Sequence, residues 1–234
     1  MSYGISVSSS GGFMQIDGTY ENLSVFASGT ATANVGNVYS PVAFPANTPA
    51  DYLIFAKPSI ESGDSLVWFS EWTEVSSYPS FIFGLSRESL SSIAVDWIIA
   101  IRTSAAPAAN SSGYGLEVNK ANGDQAFNSE NGNFRCQQVS FENLDSLEET
   151  FNSIFSVSSM SGVYALMSGK GFLGRWQFAA APAVLATVIA CSRWNYTNNT
   201  IRTQVARQVI IANLGGFTSI GGGFRTNLIG TFGG

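Results

Sequence analysis

Histidine is absent from the 234-residue sequence, and charged residues are scarce. Asp, Glu, Lys and Arg make up 12% of the chain, about half of the ~25% usual in globular proteins. Without histidine, His-based catalytic triads and His-ligated zinc are excluded, and the commonest general base is missing. The 11 basic and 16 acidic residues give a net charge of −5, which argues against a nucleic-acid partner because such binding needs a basic surface.

Targeting, membrane and disulfide signals are also weak. The N-terminus lacks the basic and apolar regions of a signal peptide. The uncharged segment 176–192 is interrupted by polar residues and a proline, so we predict a buried strand there and no membrane insertion. Cys136 and Cys191 lack the spacing of a metal or redox site. We expect two buried free thiols, although the spacing leaves a single disulfide open.

Serine and asparagine are abundant, with 33 and 17 copies. Together with threonine and glycine they predict a neutral surface, which can be covered by another protein without desolvating many ions. The simpler interpretation is a soluble monomer whose surface binds no partner. We favour burial of this surface against other subunits, because a charge-poor monomer with a mean hydropathy of +0.14 would tend to aggregate.

An internal repeat is the most informative pattern. The segment 3–7 recurs at 114–118 with an offset of 111, and Gly12 then falls on Gly123 and Leu23 on Phe134 without a gap. Each copy reads as strand, glycine-containing turn and strand, and Asn122-Gly123 is a strong hairpin signal. The repeat predicts a mostly β fold with two related β-sandwich-like domains, at 1–103 and 114–234, joined by the Ala-, Pro- and Ser-rich linker 104–113.

Further elements follow from hydrophobic periodicity. In the first half, apolar runs predict strands at 52–56, 66–75, 81–85 and 93–102. In the second half, apolar residues at helical intervals predict one short helix over 144–155, capped by Asn143 or Asp145. A strand at 162–167 and a long hairpin of 184–196 and 200–214 complete the second domain.

The aromatic residues supply the candidate interaction sites. Trp68 and Trp72 lie on one predicted strand and could form a platform for a sugar ring, although core packing is the commoner role. Phe217, Phe224 and Phe232 are spaced along the glycine-rich C-terminal tail. That tail is either a frayed end or a docking strand that orders on a neighbouring subunit.

Enzyme signatures are weak in this sequence. The segment 169–171 is too short for a phosphate-binding loop, and the glycine run 221–223 has no predicted helix after it, as a dinucleotide site requires. Glu71 and Glu74 flank Trp72 as in a glycosidase site, but a strand would point them to opposite faces. We therefore predict no enzymatic activity, no catalytic or metal-binding residues and no cofactor.

The repeated pattern resembles the opening of structural proteins encoded in the tail modules of long-tailed bacteriophages. Tyr-Gly-Ile/Leu-x-Val, a later glycine and a final Ile/Phe-Asp/Asn carry the resemblance over about thirty residues in each half. The second copy departs from it at Asn128, where that family often has aspartate. The motif is structural, so it assigns no site residues.

The resemblance implies a non-enzymatic virion protein of the tail tip, made in the host cytoplasm. It would associate with itself, with a homotrimer favoured, and with other phage tail proteins, and it would anchor tail or fibre proteins. The alternative is a receptor- or carbohydrate-binding module of a phage tail, whose partner is a host surface glycan or receptor. Host, receptor and symmetry are open.

Overall fold

The computed structural model describes residues 4–9, 12–17, 22–35, 41–72, 80–85, 92–106, 115–143, 153–168, 184–211 and 224–233. Within these ranges the chain forms 16 strands and one 3-10 turn, Thr103–Ala105, and no α-helix. The predicted mostly β class is confirmed.

Eight strands belong to the N-terminal half and eight to the C-terminal half. The N-terminal half contains β1 Gly4–Ser9, β2 Gly12–Asp17, β3 Leu23–Val35, β4 Pro41–Ala43, β5 Tyr52–Pro58, β6 Asp64–Trp72, β7 Ser80–Leu85 and β8 Ile93–Arg102. The C-terminal half contains β9 Glu117–Asn119, β10 Gln125–Asn128, β11 Asn133–Asn143, β12 Ser153–Ser156, β13 Val163–Ser168, β14 Val184–Asn195, β15 Thr200–Ile211 and β16 Phe224–Gly233. The predicted linker 104–113 falls between the two sets.

Six strands form a closed barrel to which both halves contribute equally. The order is β3, β8 and β5 from the N-terminal half, then β13, β16 and β11 from the C-terminal half, and a β11–β3 contact closes the circle. The predicted pair of separate β-sandwich-like domains is therefore not confirmed, because strands of both halves are hydrogen-bonded into one barrel. Long-range pairing of this kind leaves no trace in local periodicity.

A second set of strands is also shared between the halves. Its order is β4-β7-β6 from the N-terminal half followed by β14-β15-β12 from the C-terminal half. The long β14–β15 hairpin matches the predicted hairpin, and Asn199 at its turn has a φ of 51°. Asparagine adopts a positive φ more readily than most residues, so the residue found at this turn agrees with the prediction.

Five strand pairings of the N-terminal half recur between the corresponding strands of the C-terminal half. At three junctions, strands that hold the same place in the order of their halves meet in antiparallel register: the third strands β3 and β11, the fifth strands β5 and β13, and the sixth strands β6 and β14. Between β5 and β13, Phe55 pairs with Leu166, two positions that the repeat offset of 111 makes equivalent. A strand that pairs antiparallel with its own equivalent is the signature of an approximate twofold axis through the pair.

Each half also places its N-terminal hairpin against the other half. Strand β2 reaches β11, where Phe13 pairs with Cys136. The Asn22 amide, just before β3, donates a hydrogen bond of 3.2 Å to the carbonyl of Ala126 on β10. The predicted strand–turn–strand pattern of both hairpins is confirmed, and Gly123 has the positive φ, 90°, that its turn requires.

Two apolar clusters fill the structure. The first draws side chains from all six barrel strands, including Phe55, Ile98, Phe134 and Phe232, and so occupies the barrel interior. The second lies on the outer face of the barrel strands, where they pack against β12, β14 and β15 through side chains such as Trp194. Alternate residues of β5 and β8 serve the two clusters, as the two-residue period of a strand requires.

The predicted helix over 144–155 is wrong at its C-terminal end. Ser153–Ser156 is strand β12, paired with β15, while 144–152 lie outside the described residues. Ile154 is exposed and Phe155 is buried, which is the alternation of a strand. Pairing with a long neighbouring strand outweighs the helical spacing of the apolar residues here.

Candidate functional site

Three charged residues close one end of the barrel. Lys57 lies on β5, two residues beyond Phe55 and therefore on the same interior face. Its Nζ atom lies 2.9 Å from Glu61 Oε1 and 3.1 Å from Asp96 Oδ2. Asp96 stands directly opposite Lys57 on β8. Lys57 is only 7% exposed, whereas the Glu61 and Asp96 side chains are 28% and 27% exposed, so these ion pairs are partly shielded from water. We call Lys57, Glu61 and Asp96 the clasp.

The clasp connects the two halves of the chain. Glu61 Oε1 accepts a hydrogen bond of 2.9 Å from the amide of Gly162, in the turn before β13. Gly162 has a φ of 67°, a conformation that favours glycine. The ammonium of Lys57 also lies 5.6 Å from the ring centre of Tyr164 on β13, within the range of a cation–π contact.

Hydrogen bonds fix the carboxylates of the clasp. Asp96 Oδ1 accepts hydrogen bonds from Ser59 Oγ at 2.5 Å and from Thr30 Oγ1 at 2.9 Å. Burial alone would raise the pKa of Asp96 and of Glu61, but hydrogen bonds and the charge of Lys57 outweigh it and leave both pKa values lowered. Burial would lower the pKa of Lys57, yet the two carboxylates raise it.

These shifts keep all three groups charged at neutral pH. A lysine with a raised pKa is a poor nucleophile, and carboxylates with lowered pKa values are weak bases. The nearby Tyr196 hydroxyl has a raised pKa, through burial first and the charges of Glu61 and Asp96 second. The arrangement is suited to holding strands together and not to transferring protons.

A polar cluster joins the halves at the opposite end of the barrel. Ser24 Oγ and Thr103 Oγ1 are 2.7 Å apart, and Ser24 Oγ lies 3.5 Å from Asn133 Oδ1. Asn133 Nδ2 donates to the carbonyls of Asn128 and Asn131 at 2.7 and 2.6 Å. Ser24, Thr103 and Asn133, which we call the seam cluster, are all buried, so they hold the β3–β11 junction by satisfied polar contacts.

The structure describes some of the predicted interaction residues only in part and does not describe one of them. Trp68 and Trp72 lie on β6, opposite Gly84 and Ser80 of β7, and their side chains lie outside the description. Phe217 lies outside the described residues altogether, and Phe224 begins β16 with its side chain likewise undescribed.

Phe232 has a structural environment different from the predicted one. It packs in the barrel interior, with ring centres 5.1 Å from Phe55 and from Phe134. Its strand pairs with β11 and β13 of the same chain. For Phe224–Gly233, neither a frayed end nor a strand that orders on a neighbouring subunit is correct, because these residues are a central strand of the barrel.

Sequence reasoning missed the clasp, although a signal exists. Lys57 is the one charged residue in β5, and Asp96 is the one charge in β8 before its terminal Arg102. Single charges of opposite sign inside two apolar strands indicate a buried pair, because an isolated buried charge is too costly.

Exposed apolar side chains supply a second candidate site. Val139 on β11 is 55% exposed and Ile154 on β12 is 52% exposed. Strand β12 approaches β11 where Gln138 Nε2 donates a hydrogen bond of 2.8 Å to the carbonyl of Ser156, whereas Val139 comes next in the strand and points to the opposite face of β11. At the repeat offset of 111 the N-terminal half has Ser28 and Ala43, so this apolar pair belongs to one half only.

Other functional features are few in the described part of the chain. Cys136 is a free, half-buried thiol whose pKa burial raises, while the side chain of Cys191 is not described. No cluster of three potential metal ligands occurs among the described residues. The described residues likewise contain no helix long and apolar enough to cross a membrane.

Comparison with known proteins gave no match to a family model, to a curated protein or to a solved structure.

Proposed function

We propose that the chain is a non-enzymatic structural component of a bacteriophage tail tip, which assembles through uncharged β surfaces and anchors tail or fibre proteins. The tail setting rests on the resemblance of the repeated motif. The assembly role is supported by a single structural observation, the exposure of the apolar side chains Val139 and Ile154 on a chain with few charges.

An apolar pair of this kind is suited to a protein partner. Depletion of charge and enrichment in apolar groups mark the centres of protein interfaces. Half-exposed Val139 and Ile154 gain little from packing within the chain, so a partner that covers them recovers apolar burial at about 25 cal/mol per Å².

Co-sedimentation tests the proposal. The tagged full chain would be expressed with the tail proteins encoded beside it, and assembled tails would be isolated by sedimentation. We expect the wild-type chain in the tail fraction. Replacing Val139 by Ser and Ile154 by Ala gives each position its counterpart from the other half, and we expect at least a tenfold loss from that fraction.

The control separates lost binding from lost folding. Ile60, in the segment after β5, is another exposed apolar residue, and Ile60→Ser should leave incorporation unchanged. A wild-type chain that stays monomeric and never sediments with tails would refute the proposal. Binding to host cells or a host glycan without tail proteins, lost in Trp72→Ala without unfolding, would favour a receptor-binding role instead.

A further inference from the structure

We propose that the surface joining the two halves also joins separate copies of this chain. The N-terminal half of one copy would complete the barrel with the C-terminal half of a second copy, and the remaining two halves would form a second barrel. The partner is therefore another molecule of the same protein. This inference does not depend on the tail-tip setting.

The junctions between the halves have the symmetry of a dimer interface. At all three of them a strand meets the strand of the same order in the other half, as equivalent elements do across a twofold axis. The exchanged hairpins strengthen the likeness, because β2 contacts β11 and Ala126 of β10 contacts Asn22. The chain thus has the internal pairing of two subunits that share one backbone.

Neither half encloses its own share of the barrel interior. Phe55 of the N-terminal half lies 4.8 Å from Phe134 and 5.1 Å from Phe232, both of the C-terminal half. In a separated half, its three barrel strands would have their interior apolar face open to water. Burying that face requires a complementary half, and a second copy supplies one with the same contacts.

The covalent link between the halves determines whether a barrel closes within one chain or is exchanged between two chains. That link is the segment between Ala106 and Gly115, at most about 30 Å when extended at ~3.3–3.6 Å per residue. All contacts of the barrel are the same in both arrangements, so the link and the protein concentration set their ratio. Short linkers give effective concentrations on the order of millimolar, so exchange is favoured in concentrated refolding or on a crowded assembly.

Disulfide trapping tests the exchange with the full chain. Ala56 on β5 and Ala165 on β13 are directly opposite across the junction. Ala56→Cys and Ala165→Cys would be made in separate chains, unfolded, mixed and refolded at about 1 mM under oxidising conditions, near the effective concentration of a short linker. We expect a disulfide-linked dimer at twice the monomer mass of 24.9 kDa. Either variant refolded alone should give no more linked dimer than the wild-type chain, because exchange places its two new cysteines in different barrels.

A pair of facing residues within one half provides the control. Thr32 on β3 and Ala94 on β8 are also opposite one another, and exchange leaves both in the same chain. A mixture of Thr32→Cys and Ala94→Cys should therefore give no linked dimer. Cys136 and Cys191 are present in both mixtures, so their oxidation is accounted for. Equal yields from the two mixtures would overturn the proposal.

Connector length gives a second measurement that needs no change in the barrel. Deleting residues 108–111 should raise the dimer fraction measured by light scattering, because a short connection disfavours closure within one chain. Inserting eight Gly and Ser residues should lower it. A dimer fraction that is independent of connector length would refute the proposal, even if the cysteine variants fail to fold. Neither result bears on sedimentation with tails.

Discussion

Replacing Lys57 by Met should destabilise the protein by about 2–3 kcal/mol at pH 7. Methionine keeps the length and apolar stem of lysine but leaves Glu61 and Asp96 without their cation. Removing one partner of a buried ion pair costs about 3–5 kcal/mol. We expect a cost below that range, because the clasp carboxylates are 28% and 27% exposed and keep their other hydrogen bonds.

Urea unfolding of the full chain measures this loss, and an exposed ion pair offers a matched control. Arg193 binds Asp64 at 2.6 Å, but their side chains are 44% and 38% exposed. Arg193→Met should therefore cost no more than about 1 kcal/mol. If Lys57→Met costs no more than Arg193→Met, with the same dependence on urea in both, the clasp is not the structural bond inferred from its burial.

The difference in the free energy of unfolding between the wild type and Lys57→Met should disappear in both acid and alkali. Because the pKa values of Glu61 and Asp96 are lowered, their charged forms stabilise the folded protein fully only above the ordinary pKa values of 4.5 and 3.8. That stabilisation is lost as the pH falls through the folded-state pKa values. The raised pKa of Lys57 stabilises fully only below 10.5 and is lost above the folded-state value, so a difference constant from pH 2 to 12 would contradict the assignment. Gly230→Ala should cost about 2 kcal/mol or more in urea unfolding, because its Cβ would meet the Arg135 carbonyl and lie 2.7 Å from the Phe134 ring, whereas Gly233→Ala should be tolerated. Equal costs for the two glycines would refute the packing described for β16. Ser24→Ala should cost about 1–3 kcal/mol by leaving seam-cluster partners unpaired, and a neutral result would mean that water replaces the hydroxyl.

Strands that are specified by nearby residues could be predicted from local sequence patterns. The hairpin of β14 and β15 follows from two β-rich runs and a turn of polar residues, and β8 was predicted with the bounds Ile93–Arg102 that it has. The repeat likewise predicted the two N-terminal hairpins. In each case the information lies within a few residues of the element it specifies.

Pairing between strands that are distant in sequence could not be predicted from local patterns. The barrel closes through pairs such as Phe55 with Leu166, and no local spacing encodes that register. The glycine content of the tail misled the prediction for Phe232, because Gly230 there makes room for an aromatic ring instead of loosening the chain. The clasp depends on the same distant pairing, so its residues could be recognised only as lone charges in apolar strands.

The position of β16 constrains how the protein is made. Strand β16 lies between β11 and β13, so the barrel stays open until Gly233 has left the ribosome. Synthesis proceeds at about 5–20 residues per second, so the growing chain exposes the edges of β11 and β13 for several seconds or more. Unpaired edges of this kind recruit other strands. Until β16 has been synthesised, the edges of β11 and β13 are therefore open to pairing with other strands, including those of a second copy.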